Sequence, residues 1–312
     1  MCVIKKGKII LCAVILFSVF FVFCIVEGPE LYYEATADFP VKNMPVKNMP
    51  AEIKALYKAY SSFIDEIKYV NDDWLITVRG VELFWAGGRL LPPEKKPYKY
   101  RYRSYGFYKY PYELPEIVRE PDAQMLERLS RFLDGRRTLE RDNTFLEILY
   151  NGRSLEEIQR HITRITFLGF RVKVHERIAD RFLAIDREIR ELALENPEVE
   201  QFISSLGSAS AFMWRNIRGS RTRSLHSFGI AIDIIPRNIG NKQIYWRWTS
   251  VYNERWWSVP YSRRWMPPIE VIRIFEKYGF VWGGKWLAFD NMHFEYRPEI
   301  LILAGREVAV PP

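Results

Sequence analysis

Two short stretches of this chain bring histidine and carboxylate together at spacings that suit a metal ion. The first is Ser224–Asp233, SLHSFGIAID, and the second is Trp282–Tyr296, WGGKWLAFDNMHFEY. Fully extended, the seven steps from His226 to Asp233 would cover about 23 Å, too far for two donors to one ion. The chain must turn between them, and Gly229 is the residue that permits it. Beyond it IAIDII alternates: Ile230, Ile232 and Ile234 face a core, while Gly229, Ala231 and Asp233 face away. A face kept small until it presents a carboxylate reads as the floor of a site. In the second stretch Met292, Phe294 and Tyr296 alternate with His293 and Glu295, so a strand there turns His293 toward a cavity.

Two histidines and one carboxylate form a normal catalytic Zn2+ set, leaving a fourth position for water. His226, Asp233 and His293 are the expected ligands. Hydrolysis then needs a general base and a cation for an oxyanion or carboxylate. Asp290, three residues before His293, is the expected base. Glu295 shares a face with His293 and is expected to orient a histidine; the exchange of these two roles is the alternative. Four arginines precede the first stretch (Arg215, Arg218, Arg221, Arg223). Arg215 is the expected functional one, because AFMWR reads as a strand ending at the site. A lone His-x6-Asp carries little weight, whereas the joint pattern with Asp-x2-His-Phe-Glu is specific.

These two segments resemble the signature segments of the VanY-like family of zinc D-alanyl-D-alanine peptidases, which includes L-alanyl-D-glutamate endopeptidases. The resemblance covers about 207–298 and does not reach 27–150. It implies an α+β fold, with helices packed on a small antiparallel sheet and zinc in a cleft. It implies hydrolysis of peptidoglycan stem peptides, of D-Ala-D-Ala carboxypeptidase type. It places ligands on His226, Asp233 and His293, the base on Asp290 and the upstream arginine on Arg215. Ser224 matches the serine of the Ser-x-His signature, and Trp282, at the head of the second segment, is expected to support the metal or the substrate. An L-Ala-D-Glu endopeptidase on the same site, or a non-catalytic wall-binding protein with a structural zinc, are the alternatives. The long insert IYWRWTSVYNERWWSVPYSRRWMPP departs from the family pattern and carries five tryptophans. It reads as either a local aromatic core or a wall for the cleft.

The rest of the chain must place this site. All three cysteines, Cys2, Cys12 and Cys24, lie in the first 26 residues of a 312-residue chain. The remainder therefore has no disulfide framework, no thiolate zinc site and no cysteine nucleophile. Lysines 5, 6 and 8 precede an uncharged 18-residue run, Ile9 to Val26, as in a signal anchor or a signal peptide. Basic residues inside put the body outside the cytoplasm, in the cell envelope, with inner-membrane anchorage and no nucleic-acid partner. The net charge of +8 favours acidic partners without choosing one.

The expected organisation is a leader (1–26), a spacer with the PVKNM repeat (27–50), an N-terminal α+β region (51–150), the zinc peptidase domain (151–300) and a tail (301–312). Ile53, Leu56, Tyr60, Ile64 and Ile67 predict one helix over 51–68. Residues 73–93 predict strands broken at Gly80 and Gly87-Gly88. The strict Tyr/basic alternation over 98–103 predicts a surface strand whose tyrosines cover the core, or a platform for an acidic wall polymer. Asp122 caps a helix to Leu133, and Ser154-x-x-Glu157 opens another carrying Ile158, Ile162 and Ile165, with His161 on its solvated side. FRVKVH predicts a strand closed by His175. Ile178 to Leu192 predict a helix broken at Asn196-Pro197, and Pro267-Pro268 opens another that ends at Gly279.

Overall fold

A computed structural model describes residues 41–42, 48–133, 139–217 and 221–310. The leader and most of the spacer lie outside them, as does the apolar run 9–26. Among the described residues, no helix is long and apolar enough to cross a membrane.

The architecture is α+β. The first sheet has four strands in the order β1 (Val41–Lys42), β2 (Ile64–Val70), β3 (Asp73–Val78), β4 (Val81–Phe84). The first PVKNM copy thus lends two residues to a sheet edge, parallel to β2, where a free spacer was expected. Helix α1 (Ala51–Tyr60) follows Pro50 and buries Ile53 and Leu56. It stops eight residues short of the expectation. Ile64 and Ile67 belong to β2, where Asp65 is a bulge between Ile64↔Val78 and Glu66↔Thr77. The extra residue puts two isoleucines three apart on one strand face, which imitates a helical spacing.

Residues Pro93–Arg101 form 3-10 turns rather than a strand. Pro97 within them has no N–H to give a ladder. Tyr98 and Tyr100 are 54% and 76% exposed, so they do not cover the core; Tyr105 and Tyr110 do. Helix α2 (Ala123–Leu133) is capped by the Asp122 carboxylate, which accepts from Met125 N at 2.7 Å. Helix α3 (Thr144–Leu149) precedes α4 (Leu155–Gln159), whose cap is Ser154 as expected. That helix is shorter than expected. Ile162 and Ile165 sit in β5 (Ile162–Phe167), hairpin partner of β6 (Phe170–His175). Leu168 and Gly169 at positive φ make the tight turn. His161 lies in the connection, bonded to Asn151 and Glu176. His175 is buried and hydrogen-bonds the Tyr150 carbonyl, an ordinary structural role.

Helix α5 (Ala179–Ala193) is followed by α6 (Pro197–Ser205), with Asn196 as its cap and Pro197 in its first turn. The second sheet has the order β7 (Leu206–Ser210), β8 (Ala231–Pro236), β10 (His293–Tyr296), β9 (Phe280–Trp282), antiparallel throughout. Between β8 and β9 come α7 (Trp246–Thr249) and α8 (Ile269–Lys277); α9 (Pro298–Leu303) follows β10. Residues 301–303, placed in a tail by sequence, therefore complete α9. Phe275 of α8 stacks on Phe294 of β10 at 3.9 Å, and Phe182 of α5 meets Phe280 of β9 at 4.9 Å.

One buried cluster joins Ile53, Ile76 and Phe145 to Ile185, Phe275 and Phe294. The core is therefore continuous across residue 150, and α1 packs directly on α9.

Candidate metal centre

Strands β8 and β10 are neighbours, and His293 is directly opposite Asp233 in their register. Directly paired residues have Cβ atoms about 4.5–5.5 Å apart, so the ladder itself supplies two ligands at one point. His226 comes from the 3-10 turn Leu225–Phe228, which Gly229 ends at φ +66°. The chain reverses there, and Ile230, Ile232 and Ile234 all enter the core. A Cβ at Gly229 would lie 2.7 Å from His175 N and from Ile162 Cδ1. Gly229→Val is thus expected to cost at least about 1–3 kcal/mol from backbone strain alone; urea unfolding of the purified variant checks this.

The three donor atoms converge. His226 Nε2 is 3.3 Å from His293 Nδ1 and 3.3 Å from Asp233 Oδ1, and His293 Nδ1 is 2.8 Å from Asp233 Oδ1. Donors about 2.0–2.1 Å from a tetrahedral ion are about 3.3–3.4 Å apart, so this set fits zinc with little movement. The far ring nitrogens are held as well. His226 Nδ1 bonds the Ala211 carbonyl at 2.6 Å, and His293 Nε2 meets Glu295 Oε2 at 3.3 Å. Each contact fixes a tautomer that leaves the inner nitrogen free to ligate. Ala231 is paired with Glu295, and its small side chain leaves room for that carboxylate.

The three donors are electrostatically coupled. Burial would lower His293, yet Asp233 and Glu295 hold it well above the ordinary imidazole value. Burial would raise Asp233, yet its bonds to His226 and His293 hold it far below the carboxylate range. Each member of the pair thus favours the charged form of the other.

Asp290 lies in the turn before β10. Burial pushes its carboxyl up to about 7, with Asp233 and Glu295 adding to the rise and His293 and Arg215 opposing it. Its Oδ1 is buried without a hydrogen-bond partner among the described residues. The turn is tightly built: Asp290 N donates to Gly283 O at 3.0 Å, and a Cβ on Gly283 would come within 2.6 Å of Asp290 O. Trp282 is fully buried and donates Nε1–H to Asn291 O at 2.9 Å. It supports this turn, which carries Asp290.

Arg215 is exposed and acts electrostatically on Asp290 and Tyr245. AFMWR is not a ladder strand, since β7 ends at Ser210. The segment is instead pinned by Ser227, whose Oγ donates to Arg215 O at 2.6 Å and accepts from Arg215 N at 2.9 Å. Sequence reasoning selected Ser224 and missed Ser227. Ser224 is buried, and its N–H donates to Arg215 O at 3.1 Å. Arg223 braces the loop through Gly152 O and the Trp214 ring, while Arg218 lies outside the described residues.

The aromatic insert is in part a small core: Trp246 and Trp256 are buried with Leu129, Val259 and Phe289. It is also stitched to the site. Tyr245 bridges Asp290, and Asn291 N donates to Ile244 O at 2.9 Å.

Residues 218–296 match the model of a family described as D-alanyl-D-alanine carboxypeptidase. The match is to that stretch alone. It contains all three candidate ligands, Asp290 and Glu295. Residues 52–107 match a second model, described as Domain of unknown function (DUF8518). No curated protein and no solved structure matches the chain.

Proposed function

We propose that the protein is a zinc peptidase of the VanY-like kind, cleaving D-Ala-D-Ala in peptidoglycan stem peptides outside the cytoplasm. The observation that carries this is the convergence of three donors at near-tetrahedral spacing, with Asp290 nearby, whose Oδ1 is buried and has no partner among the described residues. The basic, apolar leader supports anchorage in the envelope.

His226, Asp233 and His293 would hold the ion. Bound zinc would polarise the scissile carbonyl and make water acidic enough to be deprotonated near neutral pH. Asp290 takes the proton of the attacking water and returns it to the leaving amine. The Ala211 carbonyl and Glu295 keep both imidazoles in the ligating tautomer. Exposed Arg215 pairs with the free carboxylate of the terminal residue. Asp290 is close enough to feel the arginine charge, so the same side chain steadies the base.

Incubation of purified protein with muropeptides, read by mass spectrometry, tests this. Loss of one terminal alanine is expected; release at L-Ala-D-Glu instead would assign the other bond. Arg215→Ala is expected to lower kcat/KM about 10–100-fold on peptides with a free C-terminal carboxylate, the scale of a charged hydrogen bond. On C-terminally amidated peptides a smaller loss is expected, from the weaker hold on Asp290 alone.

A further inference from the structure

A file of buried polar groups leads from the metal centre into the N-terminal region. His293 Nε2 meets Glu295 Oε2. Arg297 donates from Nη1 to Glu295 Oε1 at 3.4 Å and from Nε to Glu299 Oε1. Tyr60 of α1 donates its hydroxyl proton to Glu299 Oε2 at 2.8 Å. Arg297 is gripped at two more points: Nη2 donates to Gly106 O at 3.3 Å, and its guanidinium lies 4.7 Å from the centre of the Tyr105 ring. Arg297 and Glu299 are 4% and 0% exposed. Tyr105 and Gly106, which grip Arg297, and Tyr60, which grips Glu299, lie within 52–107, the span of the match to the domain of unknown function. Arg297 and Glu299 lie just beyond the peptidase match.

We propose that residues 52–107 are a positioning element of the metal centre. Through Tyr60, Tyr105 and Gly106 they clamp Arg297 and Glu299, Arg297 sets the Glu295 carboxylate, and Glu295 sets the His293 ring. A guanidinium has a planar fork of donors, so fixing three of its contacts fixes the fourth. A carboxylate buried beside a ligating histidine controls that histidine's orientation and basicity. The N-terminal region is thereby a working part of the site. This inference rests on the zinc reading above.

The test is the zinc affinity of the full chain, measured by competition with a chromophoric chelator. Glu295→Gln is expected to raise the zinc Kd about 10–100-fold. Tyr60→Phe removes one hydroxyl in α1 and is expected to raise it roughly three- to tenfold, the scale of coupling within one hydrogen-bonded network. Added to Glu295→Gln, Tyr60→Phe is expected to change Kd by less than about twofold, because the file is already cut. Ile53→Val removes one buried carbon from the same helix without touching the file, and its Kd is expected to equal the parent's. An unchanged Kd in folded Tyr60→Phe would overturn the inference. So would equal losses in both backgrounds, or an equal loss in Ile53→Val. Any of these leaves the zinc reading intact, whereas a parent that binds no zinc overturns both.

Discussion

Replacing Asp290 by asparagine is expected to lower kcat on a peptide ending in D-Ala-D-Ala by about 100- to 10,000-fold, the usual worth of a general base. Zinc content should stay at the parent's level, because Asp290 is not one of the three converging donors. The pH profile distinguishes this role from a structural one. The base works only when deprotonated, so kcat/KM of the parent should rise with pH along an acid limb. Burial puts the Asp290 carboxyl at about 7; a bound cation favours the carboxylate and moves the limb lower. The asparagine variant should lack that limb altogether. A variant that hydrolyses muropeptides at the parental rate would exclude Asp290 as the base.

Removing the Asp233 charge is expected to abolish zinc binding at stoichiometric concentrations and, with it, activity. Asp233 is the only anion among the three donors, and both histidines bond it. Two imidazoles alone make a weak open site. In the parent, free zinc at one hundred times Kd is expected to raise the unfolding free energy by about 2.7 kcal/mol. Asp233→Asn should show no such rise. Urea denaturation with and without zinc reads this directly, and dialysis against a chelator should abolish hydrolysis until zinc is returned. A parent with no zinc-dependent shift would exclude the site.

The candidate metal-site region was legible because strand periodicity is local. Ile230, Ile232 and Ile234 announce which way Asp233 points, and Phe294 and Tyr296 do the same for His293. Their adjacency was not legible, since the pairing of β8 with β10 joins residues sixty apart in sequence. Where reading failed, a local pattern had two physical solutions. Ile64 and Ile67 match a helix or a bulged strand, and only the partner strand decides. Ile162 and Ile165 continue the stripe of α4 on paper, but their β-branched run pairs with FRVKVH. Tyr98 to Arg103 alternate like a strand, yet Pro97 offers no ladder donor, the pairing shrinks to one bridge of Tyr102 with Glu140, and Tyr98 and Tyr100 turn out to solvent. Ser227 and Arg297 gave no local signal at all. Each acts through a backbone carbonyl or a carboxylate supplied by the tertiary fold.

The bond between Tyr60 and Glu299 joins residues 239 apart, and this long span bears on how the chain reaches its native state. Helix α1 packs on α9, so that part of its cover must wait until residues 298–303 have been synthesised. Fragments ending before Glu299 should leave the Tyr60 hydroxyl without its carboxylate. Such distant pairings close large loops and fold slowly. The candidate metal site should therefore mature only after α9 has docked.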